Sequence, residues 1–196
     1  MNLIIIAGLP ATGKTTLSKK LAERLHLPIL EKDEIKEELF ETVGFASPED
    51  RRALDRAANA VLLRCTENIL SGGNSLIIIN NFDKAMSGRV QEMIDRTGCK
   101  CVLIFLNGDG DILHKRYVER DRRKARHPGH TFIPHYPIRP GDDLNQEMSR
   151  QYFADRFEKA GMGEFTLDVP RIDLDATYPD TIDADALTRQ IEEILK

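Results

Sequence analysis

Eight residues constrain this chain more than any others. Gly8-Leu9-Pro10-Ala11-Thr12-Gly13-Lys14-Thr15 sets glycine, lysine and threonine in the spacing GxxxxGK[ST]. The run Leu3–Ala7 before it is short, apolar and β-branched, the pattern of a buried strand. After it, Leu17, Leu21, Ala22 and Leu25 recur at helical spacing through Thr15–Leu25. A strand that passes through a glycine-rich turn into a helix predicts a parallel α/β unit.

Each fixed position of the motif has a physical reason. Glycines let backbone N–H groups approach an oxyanion closely and take unusual torsions. The helix that follows adds partial positive charge at its N-terminus. Lys14 would neutralise the β- and γ-phosphates of a nucleotide, and the Thr15 hydroxyl would bind Mg²⁺, a hard cation that prefers oxygen. With glycine at about 7% of residues, a chance match in such a chain has odds below roughly one in a hundred. The spacing is not the GxGxxG of dinucleotide binding.

Apolar runs and amphipathic stretches alternate along the rest of the chain. Strands are expected at Pro28–Leu30, Ser75–Ile79, Cys99–Leu106 and Arg171–Leu174. Helices are expected at Asp33–Phe40, from Pro48 to Leu70, and at Ala85–Arg96, Asp109–Arg126, Asn145–Lys159 and Asp183–Leu195. Ser47, Pro48 and Asp50 form a helix start, and Gly72-Gly73 a stop. This alternation predicts a doubly wound, mostly parallel sheet. No linker or repeat divides the sequence, so residues 1–196 are expected to form one domain.

Charge is uneven. The net charge is −4, yet residues 114–126 carry seven lysines and arginines against two acids, leaving −9 for the remainder. A basic island in an acidic chain predicts a local anion site and argues against long nucleic acid as partner. Arg116, Arg120, Arg123 and His127 share one stripe of a helix, suited to a triphosphate and its transition state. A solvated helix face is the plainer reading of the same charges. Arg122, Lys124 and Arg126 are expected to face solvent. Cys65, Cys99 and Cys101 show no metal-ligand spacing, and Cys99 and Cys101 read as small core residues on one strand face. The absence of a leader or a membrane-length apolar run predicts a cytoplasmic protein.

Asp33 lies just after the second strand, where carboxyl-end loops form the crevice of an open α/β sheet. There it could accept the proton of an attacking hydroxyl, or simply cap a helix. After the third strand, where a carboxylate for the metal is expected, the chain reads Asn80-Asn81-Phe82, with Asp83 the first acid. Residues 127–142 hold four prolines and His127, His130 and His135, without a cysteine. They are read as a substrate-facing lid with Phe132, Tyr136 and Arg139 rather than a zinc site.

Together, GLPATGKTT, KDEIKEELF after strand two and Asn-Phe after strand three resemble the small AAA_33-type P-loop kinases. These are similar to the kinase domain of polynucleotide kinases and more distantly to gluconate, shikimate and chloramphenicol kinases. The resemblance implies a three-layer α/β/α P-loop NTPase fold with sheet order 2-3-1-4-5 and a lid over about 112–142. It implies an ATP- and Mg²⁺-dependent phosphotransferase acting on a hydroxyl of a small molecule. Gly8, Leu9, Pro10, Ala11, Thr12, Gly13, Lys14, Thr15 and Thr16 would cradle the nucleotide, with Arg116. Lys14, Asp33, Arg116 and Arg120 would be catalytic, Asp33 as the hydroxyl's base. The loop at Ala176 and Thr177 would lie near the adenine. A nucleotide-binding module without transfer and a nucleotide or polynucleotide 5′-hydroxyl kinase are the competing functions.

Overall fold

A computed structural model describes residues 1–123, 126–131, 133–143 and 147–196. Five parallel strands form one sheet in the order β2-β3-β1-β4-β5. They are β1 Asn2–Gly8, β2 Ile29–Glu31, β3 Leu76–Ile79, β4 Lys100–Asn107 and β5 Arg171–Asp175. The helices are α1 Lys14–Leu25, α2 Lys32–Thr42, α3 Pro48–Ser71, α4 Ser87–Thr97, α5 Gly110–Arg122, α6 Arg150–Lys159 and α7 Ala184–Ile194. The expected fold class and strand order hold.

Strand alternation divides the core into two apolar layers. Leu3, Ile5, Leu76, Ile78, Leu103 and Phe105 pack with Leu62 and Leu70 of α3 and Val90 and Met93 of α4. Ile4, Ile6, Ile77, Ile79, Ile104 and Leu106 face Leu17 and Leu21 of α1 and Leu187 and Ile191 of α7. β1 lies at the centre, paired with β3 on one side and β4 on the other. Its apolar residues are buried because both faces are covered. Cys99 and Cys101 sit together in the first layer, as their alternation predicts.

Two smaller clusters lie at the carboxyl end of the strands. Leu113 and Tyr117 of α5 pack on Met148 and on Phe153 and Phe157 of α6. Phe40 and Phe45 pack on Ile133, with Tyr136 against them. An antiparallel bridge between Phe45 and Tyr136 ties the segment after α2 to the Pro-rich segment. Burying these rings is worth about 1.5–3 kcal/mol per side chain, enough to order a loop with little secondary structure of its own.

Two helices differ from expectation. α5 ends at Arg122 rather than Arg126, and Arg122 and Arg123 turn to Glu147 and Glu119. α6 starts at Arg150 rather than Asn145, because the Ser149 hydroxyl caps it by accepting from the Tyr152 N–H. Asn145, Lys124 and Phe132 lie outside the described residues. The Ser47 cap of α3 is present, with Ser47 Oγ accepting from the Asp50 N–H at 3.1 Å.

Candidate active site

The strand ends open into a cleft of about 790 Å³, floored by the glycine-rich loop and walled by α2, α3, α5 and α6. Gly8 leaves β1 with φ 127°, and Gly13 closes the loop with φ 84°. A side chain at Gly8 would collide with the Leu106 carbonyl of β4, so the loop needs glycine to lie this close to the sheet. Ala11 also takes a left-handed turn, φ 62°, which an L-residue adopts at a cost of about 1–2 kcal/mol. Alternating torsions of this kind turn successive N–H groups toward one point, the geometry of an anion nest.

Lys14 folds back over the loop. Its ammonium donates to the carbonyls of Gly8 at 3.0 Å and Leu9 at 2.6 Å. Burial pushes its pKa down to about 7, against the opposing pull of Asp33. The side chain is therefore held by backbone oxygens in a place where phosphate oxygens would serve it better. Beside it, Thr15 Oγ1 donates to Glu31 Oε1 at 2.7 Å. Burial raises the Glu31 pKa, while the Thr15 hydrogen bond opposes that rise.

Glu31 escaped the sequence reading. It ends β2, opposite Ile79 in the ladder with β3, and so reaches the cleft from the neighbouring strand. The signal lay in Glu31-Lys32-Asp33, two carboxylates two residues apart where a strand becomes a helix. Asn80 and Asp83 are otherwise engaged. Asn80 is buried and donates to Asn59 Oδ1 at 2.8 Å, and Asp83 caps a short turn by accepting from the Met86 N–H. Among the described residues no group of three or more His, Cys, Asp or Glu is arranged to hold a metal ion. The hydroxyl of Thr15 and the carboxylate of Glu31 are hard oxygen donors that fit Mg²⁺ carrying waters and nucleotide oxygens as its other ligands.

Asp33 lies in the first turn of α2, and among the described residues no backbone N–H reaches its carboxylate, so it does not act as a cap. Lys32 Nζ sits 3.3 Å from it. Burial alone would raise the Asp33 pKa, but Lys32, His130, Arg126 and Lys36 outweigh it and hold the carboxyl well below its ordinary range. Lys32 is shared with Asp55 of α3 at 2.8 Å, and Asp55 also takes Lys36. This chain of charges fixes Asp33 against α3. Neither Asp55 nor the two lysines stood out in the sequence, because their meeting depends on how α2 packs on α3.

The basic stripe is divided. Arg120 lines the cleft, half-covered by the Tyr117 ring, its Nε buried with no hydrogen-bond partner. Arg116 lines it too, but its guanidinium donates to the carbonyls of Ala176, at 2.9 Å, and Thr177. It thus braces the loop after β5 instead of pointing at phosphates. Arg123 turns away to Glu119, whereas Arg126, expected in solvent, lines the cleft above Tyr117. The reason is the early end of α5: the 100° stripe stops at Arg122. His127 and His130 stack around Phe40 and bond to Glu41 and Glu37. His135 faces Asp142 at 3.1 Å, so the three histidines do not converge.

A family described as AAA domain, AAA_33, matches residues 3–132. An inferred kinase from Chloroflexus aurantiacus shares 32% identity over 100% of this chain and 98% of its own, with a TM-score of 0.82. A gluconokinase from Sinorhizobium meliloti shares 14% identity over 99% and 91%, with a TM-score of 0.55. Shikimate kinase from Bacteroides thetaiotaomicron shares 21% identity over 98% and 97%, with a TM-score of 0.51. No curated protein sequence matches the chain. No helix among the described residues is long and apolar enough to cross a membrane.

Proposed function

The chain belongs to the AAA_33 family of AAA domains with the P-loop kinase fold, and from that premise we propose that it transfers the γ-phosphoryl group of ATP to a hydroxyl of a small molecule. One observation carries the reading: Lys14 of the phosphate loop and Asp33, held ionised by the lysines around it, line one cleft at the carboxyl ends of the strands, and the Asp33 charge opposes the fall that burial imposes on the Lys14 pKa. A phosphate donor and a hydroxyl acceptor need this pairing of cation and carboxylate. Residues 1–196 are read as one kinase unit, with its lid at about 112–142.

In this reading the loop from Gly8 to Thr16 cradles the phosphates, and Lys14 exchanges the Gly8 and Leu9 carbonyls for β- and γ-oxygens. Thr15 and Glu31 would hold Mg²⁺, which supplies charge neutralisation between the phosphates. The acceptor hydroxyl attacks the γ-phosphorus as the bond from that phosphorus to the bridging oxygen breaks, releasing ADP. Asp33 accepts a hydrogen bond from the hydroxyl and orients it. Its depressed pKa suits a loose transition state, in which the proton leaves late and no strong base is required. Arg120, with its unpartnered Nε, and Arg126 draw the charge that spreads over the transferring oxygens. The gap after β3 does not favour a binding module without transfer, since Glu31 offers a carboxylate beside Thr15.

The test is Mg²⁺-dependent ATP turnover by the purified chain against hydroxyl-bearing acceptors, including sugars, nucleosides and 5′-hydroxyl oligonucleotides. An acceptor should stimulate turnover, Asp33→Asn should abolish the stimulation while still binding ATP, and Lys14→Ala should lose both. Tight, Lys14-dependent ATP binding with no acceptor phosphorylated would replace this reading with a nucleotide-binding module.

A further inference from the structure

The cleft holds more positive charge than a nucleotide site alone requires. Nine lysines and arginines line it against six carboxylates. Lys32 and Lys36 are matched by Asp33 and Asp55, and Arg116 is occupied with carbonyls. Lys14, Arg120 and Arg126 serve the phosphates in the reading above, and Lys19 lies on α1 behind the phosphate loop; Arg51 and Arg156 are left. Neither makes a salt bridge among the described residues. Arg51 donates only to the Thr131 carbonyl, at 2.9 Å, and Arg156 rests 5.8 Å from the centre of the Phe157 ring.

Their place in the cleft is specific. Arg51, Asp55 and Asn59 fall at i, i+4 and i+8 of α3 and line it as one stripe. Asn59 meets Asn80 at the sheet and Asp55 meets the lysines around Asp33, so Arg51 lies one turn further out, away from β3. Arg156 comes from α6, which also lines the cleft with Phe157. Lys14 feels Arg120 and Arg126. Burial lowers the Arg51 pKa first, and Arg156, then Arg126, lower it further. Arg51 thus lies within the electrostatic reach of Arg156 and Arg126, and all three line the same cleft. Arg51 is half-buried and Arg156 exposed, and neither guanidinium has a carboxylate partner among the described residues, so an oxyanion between them would satisfy donors that are otherwise left to solvent.

We propose that Arg51 and Arg156 form an oxyanion subsite for the acceptor, so that the molecule phosphorylated carries a carboxylate or phosphate beside the hydroxyl presented to Asp33. This rests on the kinase reading and narrows it to anionic polyols and their relatives. Guanidinium forks from two helices would take the anion from both sides, orient the hydroxyl and draw α6 toward α3.

The experiment separates this subsite from the nucleotide. The full chain is saturated with Mg²⁺ and a non-hydrolysable ATP analogue, so that the phosphate loop and the γ-position are filled. It is then titrated with citrate and with inorganic phosphate by calorimetry. One equivalent of at least one of them should bind, more weakly by at least tenfold in Arg51→Gln and in Arg156→Gln, with analogue affinity unchanged within about twofold in both. Stronger binding of citrate points to a carboxylate-bearing acceptor, and of phosphate to a phosphorylated one. No second anion, or one whose affinity survives both substitutions, overturns the subsite while leaving the kinase reading intact. Should the analogue itself fail to bind, the kinase reading fails, and the same titration on the free protein decides the subsite. Unchanged analogue affinity in the variants also certifies that they fold.

Discussion

At one end of the cleft, the phosphate loop offers backbone N–H groups from a single run of residues, Gly8 to Thr15, anchored on the central strand of the sheet. At the other, Arg51, Asp55, Arg126, His130 and Arg156 come from three separate stretches of chain. The first end is a property of local backbone shape and varies little with what packs around it. The second exists only when α2, α3, α6 and the segment after α5 take their places. A fold built this way can keep its donor constant and change its acceptor by altering side chains on surrounding elements.

Substitutions can break that division, and the largest effects belong where the two ends meet. Asp33→Asn is expected to lower kcat by about 10²–10⁴-fold with the KM for ATP little changed, as for loss of a group that orients the attacking hydroxyl. A large rise in the KM for ATP instead would place Asp33 at the donor end. Next is Gly129→Ala. A Cβ there would lie well inside van der Waals contact of the Phe40 ring, so the segment holding His127 and His130 must shift. The acceptor KM should rise by about tenfold while ATP affinity holds, since a misplacement of about 1 Å is felt at the reacting centre. Equal losses in both affinities would mean the ends are mechanically one.

Asp55→Asn tests the strut between α2 and α3. It leaves Lys32 and Lys36 without their shared partner, and should cost about 1–2 kcal/mol, less than a fully buried pair because Asp55 is 39% exposed. The Asp55 pKa falls from 3.8 to about 2, since Lys32 and Lys36 outweigh the effect of burial. Its stabilisation is therefore present above pH 4 and lost as pH falls toward 2. Acid unfolding of Asp55→Asn should lack that portion of the slope, which denaturant titrations across this window would read. The smallest effect is at Lys14. With its pKa near 7 in the free protein, the ammonium is mostly neutral at pH 8, and phosphate oxygens would restore its charge. Nucleotide binding at pH 8 should take up a fraction of a proton, seen as a dependence of the heat on buffer ionisation, and Lys14→Arg should remove that uptake.

The donor end was legible in the sequence because its spacing, strand and helix lie together in the chain. The layers were legible too, since alternation in Leu3–Ala7 and Cys99–Leu106 names which residues share a face. Helix ends were less so. A residue count at 100° per position carries Arg123 onto the Arg116 face only while the helix continues, and it stops at Arg122. Arg126 lines the cleft from beyond the end of that helix, where a helical residue count no longer applies. Lys32 and Lys36 announce themselves as neighbours on a helix, but Asp55 is some twenty residues on, and its match to them is a fact of packing. Glu31 ends the second strand, beside Thr15, whereas the sequence pattern leads one to expect a metal-facing carboxylate after the third.

The Leu9 N–H bonds to the Leu106 carbonyl at 3.1 Å, stitching the start of the phosphate loop onto β4. In the language of amide hydrogen exchange, that proton is expected to exchange with the β1–β4 pair to which it is stitched rather than with the loop. The amides of Gly129, His130 and Thr131, by contrast, bond within a short turn and are expected to exchange through small local openings. A nucleotide that binds only the intact loop therefore protects the β1–β4 pair as well, and its affinity should be readable in protection factors of residues it never touches.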